Sequence, residues 1–368
     1  MKPAQVYFTD FRMKGGQNHE TKLRRLMQEA GMDRIDFRGK YVAIKIHFGE
    51  LGNLAYLRPN FAKYVADYVK ELGGRPFLTD CNTLYIGSRK NALDHLDTAM
   101  VNGFHPMTTG CHVIIADGLK GTDEVEVPVE GGVLCKTAKI GRAVMDADIV
   151  ISLNHFKGHE NTGFGGALKN LGMGCGSRAG KMEMHSSGKP YVEQDACIGC
   201  KACAKICAHD APWFDENGKA TIDHDKCVGC GRCIGICPKD AVCPGSNDTF
   251  DNLNRKIVEY AKAVVDGRPN FHINIVNNVS PNCDCHSESD VAIVPDVGML
   301  ASFDPVAIDA ASAEAVNQQP ANPKSLLKAR AGVMDHFLCT HPTTNWRVQM
   351  EHGEAIGLGT QDYELITL

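Results

Sequence analysis

The chain has 368 residues, of which 43% are hydrophobic and 23% are charged. This is the composition of a globular protein with a large core, so it excludes a disordered chain and a fold that depends on a disulfide scaffold. The net charge of −5 gives no support for binding to nucleic acid or to an anionic membrane.

The first half of the chain alternates between strand and helix patterns. Short runs of branched and aromatic residues predict strands, and apolar residues spaced three and four apart predict the helices between them. This alternation is typical of an α/β fold, in which helices cover a layered, mostly parallel or mixed sheet. In chain order, we predict strand 41–48, helix 59–72, strand 75–80, helix 89–102, strand 112–117 and strand 146–153.

A cysteine-rich stretch interrupts this pattern. Eight of the 16 cysteines fall between positions 197 and 237, and the α/β pattern returns after position 247. The later elements are predicted as helix 250–265, strands 271–276 and 290–295, and helices 305–316 and 323–332. The predicted domains are an α/β domain in two parts, residues 1–188 and 246–368, and a small α+β ferredoxin-like insert at residues 189–245.

The insert contains an internal repeat. CIGCKACAKIC at 197–207 matches CVGCGRCIGIC at 227–237 with all four cysteines in register. Each run reads C-x2-C-x2-C-x3-C, the spacing of bacterial ferredoxins with two clusters, in which the fourth cysteine of each run binds the other cluster. The alternative, a structural zinc site, usually takes two separated cysteine pairs, and the repeat fits that pattern poorly. The predicted ligands are Cys197, Cys200, Cys203 and Cys237 for one [4Fe–4S] cluster, and Cys207, Cys227, Cys230 and Cys233 for the other.

The number of cysteines also bears on the cellular compartment. Disulfide frameworks belong to short secreted chains, and the first residues do not show a charged segment followed by an apolar one. No apolar run approaches the roughly 18 residues that a membrane span requires. We therefore expect the cysteines to bind metal in a reducing cytoplasm.

A segment rich in glycine and ionisable residues follows strand 146–153. Glycine backbone can turn several N–H groups toward an anion, and Lys or Arg side chains can complete such a site. The segment matches neither the P-loop nor the dinucleotide-binding pattern, so we expect a small anion here rather than ATP or NAD. The alternative is a tight loop with solvated lysines. The candidate catalytic residues are Lys157, His159, Lys169 and His185, and the candidate cofactor-binding residues are Gly165, Gly166, Asn170, Arg178 and Lys181.

Polar residues also follow two earlier strands. The carboxyl ends of parallel strands share one edge of a sheet, where open α/β sheets bind ligands. We therefore predict that these residues join the glycine-rich segment, although an isolated histidine at such a position is more often structural. They are His47 and Glu50 after strand 41–48, and Asn82, Tyr85 and Arg89 after strand 75–80.

Cys283 and Cys285 lie outside the repeat. Two thiolates one residue apart can bind a soft metal ion, form a redox-active pair, or remain structural thiols. A tetrahedral metal site needs further ligands, and His286, Asp304, Cys175 or a distant residue are the candidates. Asp304 precedes a proline, which is typical of a helix N-cap instead.

Five stretches of the chain resemble the family called domain of unknown function 362, in its ferredoxin-containing form. They are KIHFGELGN (45–53), TDCNTLYIGSRKNALDHL (79–96), NHFKGHENTGFGGALKNLGMGCGSRAGKMEMH (154–185), PNCDC (281–285) and ASFDPVAIDAAS (301–312). The resemblance spans nearly the whole chain. It implies an iron–sulfur protein with a second site whose reaction has not been assigned.

These patterns together predict a cytoplasmic iron–sulfur redox protein. We expect two clusters to pass single electrons from a redox partner protein to a site on the α/β domain, where a small anion is reduced. An electron relay alone does not need so large an α/β domain, which is the argument for this second site. The alternatives are a non-enzymatic electron carrier, and a cofactor- or metal-maturation protein that uses Cys283 and Cys285.

Overall fold

The computed structural model describes residues 3–84, 87–185, 189–207, 209–227, 233, 237–239, 241–243, 248–327 and 334–368. Three features of the sequence prediction lie outside the described residues. They are Tyr85, Cys230 and the second half of the predicted helix 323–332.

Strands occur along most of the described chain. In chain order they are β1 Ala4–Asp10, β2 Tyr41–Lys45, β3 Arg75–Asp80, β4 His112–Ile115, β5 Glu124–Pro128, β6 Thr137–Gly141, β7 Ile149–His155, β8 Lys157–His159, β9 Gly163–Gly165, β10 Tyr191–Val192, β11 Pro212–Phe214, β12 Ala220–Ile222, β13 Val242–Cys243, β14 Asn270–Val276, β15 Gly298–Ser302 and β16 Tyr363–Thr367.

Helices alternate with these strands. They are α1 His19–Glu29, α2 Pro59–Glu71, α3 Ala92–Val101, α4 Pro106–Thr109, α5 Arg142–Asp146, α6 Ala167–Cys175, α7 Arg178–His185, α8 Ala202–Ile206, α9 Asp248–Val265, α10 Pro305–Asn317, α11 His336–Thr340 and α12 Arg347–Ala355, with a short 3-10 turn at Met32–Arg34. Within the described ranges, none of them has both the length and the apolar composition that a bilayer crossing requires.

An eight-stranded sheet forms the centre of the fold, in the order β16-β1-β15-β14-β7-β2-β3-β4. The five strands from β14 to β4 are parallel to their neighbours, and so is the pair of β1 and β16. Strand β15 runs antiparallel to both of its neighbours. The predicted α/β fold with a mostly parallel or mixed sheet is therefore confirmed.

Two apolar cores lie on opposite faces of this sheet. Val42 and Ile44 of β2 belong to one core with residues of α1 and α2. Ala43, between them, belongs to the other core with residues of α6, α9 and α10. Successive side chains of a strand point to opposite faces, so a strand covered on both sides is almost continuously apolar. This is why the parallel strands could be recognised in the sequence.

The predicted strand 290–295 is wrong. Ile293 and Val294 are buried as their apolar character suggests, but they lie in a loop. The Ile293 N–H donates to the carbonyl of Val279, and its own carbonyl accepts from the N–H of Asn322. Because other loops provide these backbone hydrogen-bond partners, residues 290–295 do not need to pair as a strand in the sheet. The described part of the predicted helix 323–332 forms turns rather than a helix.

The described strands between residues 189 and 243 pair only with one another. Strand β10 pairs with β13 and β11 pairs with β12, both antiparallel. Their side chains share a small apolar cluster, which includes Cys203 and Cys233. The domain boundaries proposed from the sequence remain a prediction.

A buried carboxylate connects α9 to the loop between β5 and β6. Glu259 accepts hydrogen bonds from the backbone N–H groups of Val133 (2.9 Å), Leu134 (3.0 Å) and Cys135 (2.6 Å), and from Nε2 of His352 (2.9 Å). Burial opposes its ionisation, but these donors prevail and lower the pKa of Glu259 to about 2. Such a carboxylate stabilises the fold in its charged form.

We expect Glu259→Gln to lower the free energy of unfolding by about 2–3 kcal/mol at pH 7. The pKa of Glu259 is lower in the folded chain than in the unfolded chain. Its contribution is therefore fully present above about pH 4.5 and is lost as the pH falls toward 2. Thermal denaturation at several pH values should show a constant difference from the wild type between pH 8 and 5 that narrows below pH 4.5. The exposed Glu130→Gln is the control, and a pH-independent difference would contradict the assignment.

Candidate functional site

The carboxyl ends of four parallel strands meet at one cavity. Strands β14, β7, β2 and β3 are neighbours in this order, and the loops that follow them line a space of about 110 Å3. Helices α6 and α7 also line it, through Lys169 of α6 and Lys181 of α7. A space of this size is large enough for several water molecules or a small anion.

Most of the site residues predicted from the sequence line this cavity. They are His47, Arg89, Lys157, His159, Gly165, Gly166, Lys169, Asn170, Lys181, His185, Cys283 and Cys285. Residues far apart in the chain are brought together by the parallel order of the strands.

Three predicted residues do not line the cavity. Glu50 forms an ion pair with Arg89 (3.1 Å) and so supports a residue that does. Asn82 donates from Nδ2 to the carboxylate of Asp117 (2.9 Å). Arg178 donates to a backbone carbonyl of a neighbouring loop. These side chains hold the walls of the site rather than facing a ligand.

Two cations of the cavity have unused capacity for an anion. Arg89 is 1% exposed and contacts Glu50 and Asp80 (3.6 Å), yet its Nη2 lacks a hydrogen-bond partner in the described chain. Lys181 donates to the carbonyl of Gly176 (2.6 Å), and no described carboxylate lies within 4.0 Å of its Nζ. A buried donor without a partner is costly, so an anionic ligand would be favoured here.

The floor of the cavity is a network of buried charges around Asp80. Lys45 contacts Asp80 (2.9 Å) and also donates to Oδ1 of Asn170 (2.6 Å). Burial disfavours the charged carboxylate, but Lys45, His95, His47 and Arg89 outweigh it and hold the pKa of Asp80 well below its usual value. The network therefore stays ionised and fixes the position of Arg89.

Asp284 anchors the turn between the two cysteines. Its Oδ2 contacts Nδ1 of His155 (2.8 Å) and Nζ of Lys157 (3.4 Å). Against the effect of burial, these two groups hold the pKa of Asp284 well below its usual value. The backbone carbonyl of Asp284 accepts from the N–H of Glu50 (2.9 Å). The turn is thus attached to the loops after β7 and β2.

Cys283 is buried among hydrogen-bond donors. The nearest charged one is Nζ of Lys169, which lies 3.5 Å from its Sγ. A hydrogen bond from Cys285, with further contributions from Lys169 and His159, holds the pKa of Cys283 well below its usual value, against the effect of burial. The same hydrogen bond raises the pKa of Cys285. The pair therefore holds one thiolate and one thiol.

Two histidines of the cavity are neutral at pH 7. Burial and the nearby Arg89 lower the pKa of His47 well below its usual value. Burial and the nearby Lys169 lower the pKa of His185 to about 3. Neutral imidazoles can accept or donate a hydrogen bond without adding charge, so the cationic character of the cavity comes from its lysines and Arg89.

Two overlapping groups of possible metal ligands lie at the cavity. In each group, the ligand atoms lie within 4.8 Å of one another. The groups are His159, Cys283 and Cys285, and Glu160, Cys285 and His286. The soft-metal site predicted at the two cysteines remains a prediction, with His286 placed beside it as the sequence suggested.

The other suggested ligands have different positions. Asp304 accepts from the N–H groups of Val306 and Ala307 (both 2.9 Å), so its interpretation as a helix N-cap is confirmed. Cys175 is buried and is not among the residues that line the cavity. Burial raises the pKa of Cys175 to about 11, which keeps it a thiol.

A second, small cavity of about 20 Å3 lies in the cysteine-rich region. Four of the predicted cluster ligands line it: Cys197, Cys200, Cys203 and Cys237. Backbone N–H groups face two of these sulfurs, from Ala220 to Cys197 (3.4 Å) and from Ala241 to Cys237 (3.2 Å). Cys207, Cys227 and Cys233 share one apolar cluster with Cys203. Cys230 lies outside the described residues.

Sequence reasoning missed the acidic partners of the site. Asp80, Asp284 and Glu160 each contact residues of the cavity, and His155 and Cys81 line it. Asp284 could have been found from its place between two cysteines. Asp80 and His155 end their strands at the edge that binds ligands, which is a weaker signal.

Comparison with known families assigns most of the chain to one family. The family model described as Domain of unknown function (DUF362) matches residues 42–314. The chain belongs to this family. The match covers the four loops of the cavity and the cysteine repeat, and it confirms the family to which the sequence motifs pointed. No curated protein matches the chain significantly.

Two solved structures align with part of the chain. The lactate racemase apoprotein from Thermoanaerobacterium thermosaccharolyticum is 10% identical, with a TM-score of 0.38 over 74% of this chain and 51% of that one. A structural-genomics protein from Thermotoga maritima is 12% identical, with a TM-score of 0.32 over 72% of this chain and 52% of that one. The DUF362 chain thus aligns with about half the length of each, and these distant similarities carry no functional argument.

Proposed function

We propose that this protein is a cytoplasmic iron–sulfur reductase of the ferredoxin-containing form of its family. In this proposal, residues 189–245 hold two [4Fe–4S] clusters and receive electrons from a redox partner protein. The cavity on the α/β domain binds the small anion that is reduced. The observation that carries the proposal is the thiol-lined cavity, because Cys237 joins Cys197, Cys200 and Cys203 there as the repeat predicts.

The surroundings of these thiols fit a cluster rather than a structural zinc ion. Gly199 and Lys201 take positive φ values of 67° and 61°, so the backbone curves tightly between the first three cysteines. N–H groups directed at sulfur, as from Ala220 and Ala241, stabilise the charge of cluster ligands. When bound, such clusters accept and release one electron at a time.

The residues of the α/β cavity suit the binding and protonation of an anion. Arg89 offers a buried Nη2 donor without a described partner, and Lys181 offers a charge without a described carboxylate at ion-pair distance. Lys169 lies 3.5 Å from the Cys283 sulfur, and Lys157 contacts Asp284 at 3.4 Å. His185, neutral at pH 7, can form a hydrogen bond with a bound molecule without adding charge. A simple electron carrier does not need such a buried cationic cavity, which favours the reductase over the carrier.

Iron content and electron paramagnetic resonance test the clusters. Protein purified without oxygen should contain about eight irons per chain, and dithionite reduction should give interacting [4Fe–4S]+ signals. About four irons per chain, or stoichiometric zinc without these signals, would contradict two clusters. The measurement depends only on the cysteine repeat, so it is independent of the anion site.

We expect Lys181→Met to weaken anion binding at least tenfold, measured by calorimetry with inorganic phosphate and sulfate as probes. Removal of one charge-assisted hydrogen bond costs about 1.5–3 kcal/mol. Lys181 has no described carboxylate within 4.0 Å of its Nζ, so this change breaks no direct ion pair. The exposed Lys120→Met is the matched control. Equal affinity of both variants, or no binding by the wild type, would favour the electron carrier.

A further inference from the structure

Cys283 and Cys285 are better placed for electron-pair chemistry than for holding a metal ion. His159 is the nearest imidazole, and its Nδ1 accepts hydrogen bonds from the backbone N–H groups of Asn161 (3.1 Å) and Thr162 (3.3 Å). A nitrogen that accepts from two N–H groups carries no proton, so the proton of a neutral ring lies on Nε2. A histidine ligand needs one free nitrogen lone pair for the metal, and His159 has none to offer.

The Cys283 sulfur is instead surrounded by donors. Lys169 Nζ lies 3.5 Å away, and the ring of His159 and the thiol of Cys285 also donate toward it. A sulfur that faces an ammonium group and lies close to a second sulfur is the arrangement in which a disulfide forms and opens readily. The sulfur atoms lie within 4.8 Å of each other in the wall of the cavity.

The backbone holds the two cysteines in a fixed turn. The N–H of His286 donates to the carbonyl of Cys283 (3.2 Å), and Asp284 between them is bound to His155 and Lys157. Gly158 permits the close approach of the neighbouring loop, because a Cβ there would lie 2.2 Å from the carbonyl oxygen of Pro281. The pair therefore faces any molecule bound in the cavity without rearrangement of the fold.

We propose that Cys283 and Cys285 form a redox-active dithiol that passes an electron pair to the anion bound in the cavity. The S–H bond of Cys285 breaks, one S–S bond forms with the Cys283 thiolate, and two electrons and one proton leave for an organic anion that accepts them. A second proton for that acceptor comes from the medium. Reduction of the disulfide by two single electrons from the clusters rests on the proposed function, whereas the dithiol itself does not.

A redox titration of the purified full-length protein tests this directly. Samples are equilibrated without oxygen in mixtures of reduced and oxidised dithiothreitol, and free thiols are trapped with N-ethylmaleimide. Mass spectrometry then follows the tryptic peptide 263–324, which contains Cys283 and Cys285 as its only cysteines. We expect one two-electron transition, in which the ratio of dithiol to disulfide changes tenfold for each 29.6 mV.

Lys169→Gln provides a second measurement that a purely structural thiol pair would not respond to. Lys169 stabilises the reduced, thiolate form, so its loss should shift the dithiol–disulfide equilibrium at least tenfold toward the disulfide, or 29.6 mV toward more negative potential. The exposed Lys14→Gln should not shift it. Both variants keep the two cysteines, and the wild-type titration is informative even if one variant fails to fold.

Two results would overturn the dithiol. One is alkylation of both cysteines at every dithiothreitol ratio. The other is protection of both cysteines by a stoichiometric metal ion that a chelator removes, which would restore the metal site. Iron analysis of the same samples reports separately on the clusters, so failure of the dithiol and failure of the proposed electron relay are distinguishable.

Discussion

Replacement of Cys203 by alanine is expected to lower the iron content from about eight to about four or five atoms per chain. Cys203 is 7% exposed, lines the thiol cavity and belongs to the apolar cluster of the insert. The remaining three thiols leave one iron of that cluster without a cysteine ligand, which destabilises the cluster. The magnetic interaction between two reduced clusters should disappear, and a single non-interacting signal should remain.

Cys243→Ala is the matched control for this experiment. Cys243 lies just after the repeat, and its sulfur faces the carbonyl of Ala241 rather than the thiol cavity. The iron content and resonance signals of the Cys243→Ala protein should equal those of the wild type. Retention of all iron by Cys203→Ala, or an equal loss from Cys243→Ala, would contradict the ligand assignment.

Gly172→Ala should lower the free energy of unfolding by about 3 kcal/mol or more. Gly172 lies in α6 where this helix crosses α9, and a Cβ there would come within 2.0 Å of the carbonyl oxygen of Ile257. The oxygen belongs to helix backbone, so it can move only if α9 moves as a whole. Because α6 also carries Lys169 and Asn170, the same displacement should weaken phosphate binding in the cavity.

Thermal denaturation followed by circular dichroism measures this loss. Gly15→Ala is the matched control, because a Cβ at Gly15 meets no atom within 4 Å. Its melting temperature should equal that of the wild type. A Gly172→Ala protein that melts with the wild type would show that the contact between α6 and α9 is looser than the structure indicates.

The predicted elements that the structure reproduces share one property. The parallel strands β2, β3, β7 and β14 are buried on both faces, so their apolar runs differ clearly from the flanking sequence. The antiparallel strand β15, the edge strand β16 and its neighbour β1 were not predicted, since polar residues interrupt β1 and β16 and β15 is short. Such a strand is defined by the neighbour with which it pairs and not by its own composition, so a single sequence does not reveal it.

The candidate site likewise has features that the sequence reveals and features that depend on tertiary contacts. His47, Lys157 and Lys169 could be proposed because each follows a recognisable strand or lies in the glycine-rich segment. Their closeness to Cys283 could not be predicted from the sequence. The loop after β14 is long, and β14 lies beside β7 only because the two strands pair in the sheet. The interpretation of Asp304 as a helix cap needed no tertiary contact, since a cap and its helix are adjacent in sequence.

The sequence by itself determined the family, the α/β class and the internal repeat of two cysteine runs, because these depend on local spacing and on burial patterns that each segment carries alone. The tertiary structure decided which cations of the cavity have a carboxylate beside them. Lys181 differs from Lys45 and Lys157 in that no described carboxylate is brought within ion-pair distance of it. Such neutralisation depends on distances between remote segments, which residue types and spacing do not specify.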